Sequence, residues 1–259
     1  RRAGLTPFCV VATAGTTNTG AVDPLDAVAD VCDAEHLWHH VDGAYGAFFY
    51  VCRQDLDPDT RRSFAGLTRA DSLTLDPHKG MFLPYGTGAL LVRDGAALRA
   101  AHEATAAYLP SMPHPEDFYD PSQHGPELSR GFPGLRVWLC VKLYGAAAFR
   151  TAIAEKRALT VDAFRRITKL PGVVVDAAPE LSLFAFHLSW QGASRADEDA
   201  ATKALMDRVT ARGRVMVTGC STHGRYLGRV CVLSFRTHQD RIDAAVDDFA
   251  AAIREIRAE

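Results

Sequence analysis

The chain has 259 residues, 23% of them charged and 47% hydrophobic, with a formal net charge of −2. So even a balance excludes the strongly basic surface of a dedicated nucleic-acid or anionic-membrane binder. The composition excludes a disordered chain, and the length suffices for one large domain or two ordinary ones.

In chain order, residues 8–13 form a β-rich run that ends in the polar, glycine-bounded stretch 14–20. Asp23-Pro24 then predicts a helix start, with Asp23 as cap and Leu25, Val28, Ala29, Val31 and Cys32 as the apolar face. Further strands are predicted over 37–41, 72–75 and 88–93. The first two end in the polar groups Asp42-Gly43 and Asp76-Pro77-His78-Lys79-Gly80. Strand and helix in alternation, with polar residues gathered at strand ends, is the α/β pattern. Ligands of such sheets bind beyond the strand ends.

Residues 109–132 hold Pro110, Pro113, Pro115, Pro121 and Pro126 and read as a loop. A helix is expected from about Leu135, broken near Gly145 and continuing to about Thr168, where Pro171-Gly172 ends it. Strands over 173–175, 183–188, 215–218 and 230–235, a helix over 197–212 and a last helix from near Asp240 predict a smaller α+β domain. The domain boundaries expected are 1–108, 109–134 and 135–259.

The six cysteines form no CxxC pair, which predicts buried thiols in a reducing, cytoplasmic setting rather than a zinc site or disulfide framework. No apolar run approaches the roughly 18 residues of a membrane span, and the opening residues do not read as a signal peptide. The abrupt Arg1-Arg2 start, almost at once followed by a strand, predicts that the natural beginning lies upstream.

Asp42 and Lys79 each sit at a different strand end, with the hydroxyl-rich Gly15-Thr16-Thr17 loop beyond another strand. Taken singly, each is a turn residue or a solvated side chain. Together they suit pyridoxal phosphate, which needs a lysine amine for its aldehyde and a carboxylate to keep its ring nitrogen protonated. The small Ala44 leaves room for a flat ring. His39-His40-Val41-Asp42 is a poor metal set, because neighbouring strand residues point to opposite faces.

Several stretches along the chain carry a family resemblance. His40-Val41-Asp42-Gly43-Ala44-Tyr45-Gly46 resembles the HVDAAYGG signature of the pyridoxal-phosphate-dependent group II amino-acid decarboxylases. Asp76-Pro77-His78-Lys79 resembles their N/D-P-H-K motif, and Ala12-Thr13-Ala14-Gly15-Thr16-Thr17 with Gly20-Ala21-Val22-Asp23 resembles their ATxGTT…GAxD segment. Pro126-Glu127-Leu128-Ser129-Arg130, Leu135-Arg136-Val137-Trp138-Leu139 and Lys142-Leu143-Tyr144-Gly145 continue the match in the same order. The resemblance places the chain in the C-terminal part of such an enzyme, similar to the aromatic-L-amino-acid decarboxylases.

The resemblance implies fold type I: part of a large, mostly parallel-sheet domain plus a C-terminal small α+β domain. It implies pyridoxal 5'-phosphate as cofactor, with Lys79 bonded to it, Asp42 on its ring nitrogen, Ala44 against the ring and Thr16 near the ring substituents. Asp76 and His78 are implied near the phosphate or the substrate entrance, and His78 equally reads as a histidine that orients Lys79. Arg130 is implied to tie the loop base to the site. Tyr119 is implied as the proton donor on a loop reaching across a homodimer interface, with Tyr108 second and simple packing as the alternative. The expected reaction is decarboxylation of an L-amino acid, with Phe82 and Tyr85 either lining an apolar pocket for an aromatic substrate or packing in the core. Alternatives are a glutamate-type decarboxylase, an aldehyde-forming synthase, an aminotransferase, or a truncated chain without catalysis.

The sequence also departs from the family pattern. Gly43 stands where alanine is usual, Ala47 where a second glycine is common, and Gly80 where many members have tryptophan. The family's ring-stacking histidine and most of its phosphate-binding hydroxyls belong to sequence preceding this chain.

Overall fold

The computed structural model describes residues 4–102 and 120–258. Strands β1 (Cys9–Thr13), β2 (Trp38–Asp42) and β3 (Ser72–Leu75) run parallel, and β4 (Ala89–Val92) completes the sheet antiparallel to β3, in the order β1-β2-β3-β4. Register pairs Thr13 with Asp42 and Asp42 with Thr74, so the carboxyl ends of β1, β2 and β3 lie side by side. The loops that leave those ends therefore share one edge of the sheet.

Between β1 and β2, helix α1 (Leu25–Glu35) buries Leu25, Ala29 and Cys32, which fall on one face at i, i+4 and i+7. The expected cap is corrected here. Pro24 occupies the capping position, and the Asp23 carboxylate instead accepts the Thr13 N–H at 2.8 Å. Asp23 thus stitches its loop back onto the end of β1. Between β2 and β3 lie the 3-10 segments Ala47–Asp55 and Phe64–Arg69, with helix α2 (Pro58–Ser63) between them, capped by the Asp57 side chain. The one-turn helix α3 (Pro77–Gly80) follows β3, and α4 (Gly95–His102) follows β4. Val41, Leu25, Phe49 and Phe64 anchor the core on this side, each fully buried.

Helix α5 (Gly134–Ile167) is interrupted at Gly145, whose φ of 74° and ψ of 156° lie outside helical space. By length and composition its apolar stretch is long enough to cross a membrane, contrary to the expectation that no apolar run approaches that length. That apolar stretch is almost wholly exposed, whereas the rest of α5 is built into protein: Ile153 packs in the core of the first sheet, and Leu159, Ala163 and Ile167 pack in a second core.

That second core is covered by an antiparallel sheet of β5 (Val173–Val174), β6 (Leu183–Leu188), β7 (Thr218–Thr222) and β8 (Arg225–Cys231), ordered β5-β6-β8-β7. Helices α6 (Arg195–Ala211) and α7 (Gln239–Ala258) pack with it. Phe184 and Phe186 of β6 meet Phe164 of α5 and Phe249 of α7 edge-on, with ring centroids 5.5 and 5.6 Å apart. Two predicted strands are displaced. Residues 215–217 precede β7 rather than belong to it, and residues 232–235 follow β8. The α/β architecture with a parallel-dominated sheet and an antiparallel α+β unit is that of fold type I.

Candidate active site at the carboxyl edge of the first sheet

Three strand ends supply the candidate residues. Asp42 is the last residue of β2; its side chain is exposed and accepts a hydrogen bond from the Ala44 N–H at 3.1 Å. Ala44 follows in the turn that leads into the segment Ala47–Asp55. Gly46 is fixed in that turn by close approach: a Cβ there would lie 2.1 Å from the Ala14 carbonyl oxygen, so only glycine lets the turn seat against the end of β1.

Asp76, His78 and Lys79 arise from the turn after β3. The Asp76 carbonyl accepts the N–H groups of Lys79 and Gly80, which closes the turn. The Lys79 ammonium lies 2.7 Å from Asp76 Oδ2, and the lysine side chain retains 39% exposure. His78 donates from Nδ1 to the Thr87 carbonyl at 2.8 Å, because a carbonyl can only accept. Its Nε2 then lies 3.8 Å from Asp76 Oδ2, and the Tyr85 ring meets the imidazole at a tilt of 59°, with centroids 4.8 Å apart. Tyr85 itself is exposed, while Phe82 is partly buried against the first core.

Thr16 is engaged by its own loop. Its hydroxyl shares a 2.8 Å hydrogen bond with Thr19 and accepts the Ala21 N–H at 3.1 Å. Arg130 lies near Gly125, in the segment before α5. Tyr119 and Tyr108 lie outside the described residues.

The structure adds a polar network that the sequence reading missed. Trp38, His40 and Asp42 share one face of β2, and Ser72 and Thr74 alternate on β3. Trp38 Nε1 donates to Ser72 Oγ at 2.8 Å. His40 joins Ser72 Oγ through Nδ1 at 2.7 Å and Thr74 Oγ1 through Nε2 at 3.2 Å. The polar residues at alternate positions of both strands were the available signal. His39 takes the opposite face, fully buried, where burial pushes its imidazole below the usual range. Tyr45 was likewise read only as part of a motif. Its hydroxyl meets Ser182 Oγ at 2.9 Å and accepts the Ser182 N–H at 3.0 Å, and burial pushes its phenol up.

Residues 1–189 match the family described as the pyridoxal-dependent decarboxylase conserved domain. The chain belongs to that family. Among characterised relatives of this pyridoxal-dependent decarboxylase chain, the aromatic-L-amino-acid decarboxylase of Bacillus atrophaeus is 38% identical over 92% of this chain and 49% of its own length. The crystal structure of Catharanthus roseus tryptophan decarboxylase in complex with L-tryptophan matches with a TM-score of 0.84 and 26% identity, over 98% of this chain and 52% of that one. The Oryza sativa enzyme crystallised with pyridoxal phosphate and tryptamine gives a TM-score of 0.85 and 27% identity, again over 98% and 52%. The chain spans about half the length of the curated relatives it matches.

The donor set fits the cofactor of this family at its aldehyde and ring ends. A reachable lysine amine and an exposed carboxylate stand on adjoining strand ends, and a residue with no more than a methyl group follows the carboxylate.

Proposed function

We propose that the whole protein decarboxylates an aromatic L-amino acid, with pyridoxal 5'-phosphate held at the carboxyl edge of the first sheet. The observation that carries this reading is the placement of Lys79 and Asp42 on adjoining strand ends, in a chain of the pyridoxal-dependent decarboxylase family. The aromatic preference is supported by the relatives, which are named as aromatic-L-amino-acid and tryptophan decarboxylases. When bound, the cofactor supplies an electron sink for the pair left behind as the α-carboxylate departs as carbon dioxide.

The residues of this chain divide the remaining work. Lys79 would hold the cofactor through Nζ, and its partial exposure would leave that amine open to the substrate side. Asp42 holds a proton at the ring nitrogen, because a carboxylate beside that nitrogen favours its charged form. Ala44 leaves the ring free to lie flat. His78, fixed by its bond to the Thr87 carbonyl, braces the turn that carries Lys79. Tyr119 delivers the proton to Cα. Thr16 shapes the loop beside the site through its bonds to Thr19 and Ala21.

We also propose a homodimer, supported by the first half of α5. There Leu135, Trp138, Leu139 and Leu143 are exposed at helical spacing, as an apolar stripe awaiting a partner surface. A reducing, cytoplasmic setting is proposed from the cysteine pattern of the sequence, although only Cys32 and Cys52 of the six thiols are buried.

Borohydride trapping tests the central assignment. The whole protein is incubated with pyridoxal 5'-phosphate and reduced, and the labelled peptide is mapped by mass spectrometry. Label on Lys79, lost in Lys79→Ala, is expected. Label scattered over other lysines would overturn the site.

A further inference from the structure

A residue three positions beyond Lys79 holds a backbone conformation that its side chain disfavours. Phe82 has a φ of 57°, in the left-handed region where a helix end usually places glycine. Its N–H donates to the Lys79 carbonyl at 3.3 Å, and the Leu83 N–H donates to the Pro77 carbonyl at 3.2 Å. The unusual conformation therefore closes the turn that carries the lysine. A bulky residue persists in such a conformation only where its surroundings hold it. The Phe82 ring packs against the first core and also meets Phe235 edge-on, with centroids 6.5 Å apart.

The segment after β8 that brings Phe235 is itself anchored. Val232 packs in the second core and Leu233 against the first, and the Val232 N–H donates to the Ser182 carbonyl at 2.9 Å. Two residues beyond Phe235, the Thr237 carbonyl accepts from the Lys156 ammonium at 2.5 Å. That lysine is fully buried in α5, and Glu155 meets its charge at 2.9 Å. Glu155 Oε1 in turn lies 2.7 Å from His238 Nδ1. The Arg236 guanidinium lies over the Phe235 ring, 5.2 Å from its centroid.

We propose that Phe82 and Phe235 are positioning residues, a two-ring clamp through which the α+β unit fixes the turn of Lys79. The clamp acts through the backbone: it holds the Lys79 carbonyl, and with it the base of the lysine side chain, in one place. A reacting group held in one geometry reacts faster than one that samples several. Phe235 is the better handle, because its ring is 53% exposed and its loss disturbs little of either core.

This inference rests on the reading of Lys79 as the cofactor lysine, but its first test needs no cofactor. Amide exchange over residues 79–83 of the whole protein is read by mass spectrometry, with Phe184 and Phe249 as references. Phe235→Ala is expected to speed exchange at Phe82 and Leu83 by about two- to tenfold, the scale of one edge-on aromatic pair, with the references little changed. Phe82→Ala should act alike, and the double variant should exchange no faster than Phe82→Ala. Phe235→Tyr keeps a ring and should restore the slow exchange. With pyridoxal 5'-phosphate and L-tryptophan supplied, Phe235→Ala should lower kcat by about the same factor and leave KM near its original value, a split that a loss of global stability would not produce. Unchanged exchange in Phe235→Ala, strictly additive effects in the double variant, or an unchanged kcat would overturn the proposal. Failure of the borohydride label on Lys79 would instead sink the cofactor assignment, and the exchange measurement would still decide the clamp.

Discussion

At the scale of single residues, two departures from the family pattern lie in contact with one another. Gly43 stands where alanine is usual and Ala47 where a second glycine is common. A Cβ built on Gly43 would lie 2.5 Å from the Ala47 Cβ, so side-chain atoms at the two positions compete for the same space. Gly43→Ala alone is therefore expected to overpack this turn and cost about 1–3 kcal/mol of stability. Gly43→Ala combined with Ala47→Gly should recover much of that loss. It should not recover all of it, since the new methyl also meets a Leu73 δ-methyl at 2.8 Å and the Thr74 carbonyl at 3.0 Å. Denaturant midpoints of the three proteins measure this, and strictly additive effects would remove the coupling. Gly80 follows the same logic. A Cβ there would fall 2.5 Å from Phe48, so the Phe48 ring closes the position where many members of the family carry tryptophan.

At the scale of elements, the break in α5 rests on one backbone conformation. Gly145 combines φ 74° with ψ 156°, a region that side-chain-bearing residues scarcely enter, and a Cβ there would meet nothing within 4 Å. The cost of Gly145→Ala is thus backbone strain alone, about 1–3 kcal/mol, visible as a lower thermal midpoint. An unchanged midpoint would mean that the helix accepts a continuous path through this residue. This break was legible in the sequence, as were β3 and β6, because glycine punctuation and short β-rich runs act locally. The β7–β8 hairpin was not. Its turn lies at His223-Gly224, both with positive φ (49° and 70°), the signature of the tight turn that joins twisted strands. The apolar runs around Val215 and Val232 drew the predicted strands away from that turn. Those residues are apolar because they pack against the second core from outside the strands. The candidate site divides in the same way. Its motif residues were legible one strand end at a time, whereas the contact of His40 with Ser72 and Thr74 depends on register between β2 and β3, which no single segment encodes.

At the scale of the whole molecule, the question is how the two cores are held as one body around the strand ends. Helix α5 contributes to both, but the polar contacts beside the site make the joint specific. Tyr45 leaves the Asp42 turn and reaches Ser182, just before β6. Arg157 of α5 donates to the Glu180 carbonyl at 3.0 Å. The Glu180 carboxylate in turn accepts from the Val22 N–H and the Thr60 hydroxyl, both at 3.3 Å, and burial pushes its carboxyl up. The turn that carries Asp42 and Ala44 is thereby fastened to the second unit through Tyr45. Ser182 is fully buried, so Tyr45→Phe strands its N–H and hydroxyl without this partner while leaving the ring in place. A buried donor that loses its acceptor costs about 1–3 kcal/mol. Because the loss falls at the joint, it should lower the denaturant midpoint of the whole protein and also speed amide exchange at Ser182. Exchange in the interior of the second core, at Phe184 and Phe249, should change less. Equal acceleration throughout would make Tyr45 an ordinary contributor to global stability. Acceleration confined to Ser182 and the Asp42 turn would identify it as the fastening between the site and the second unit.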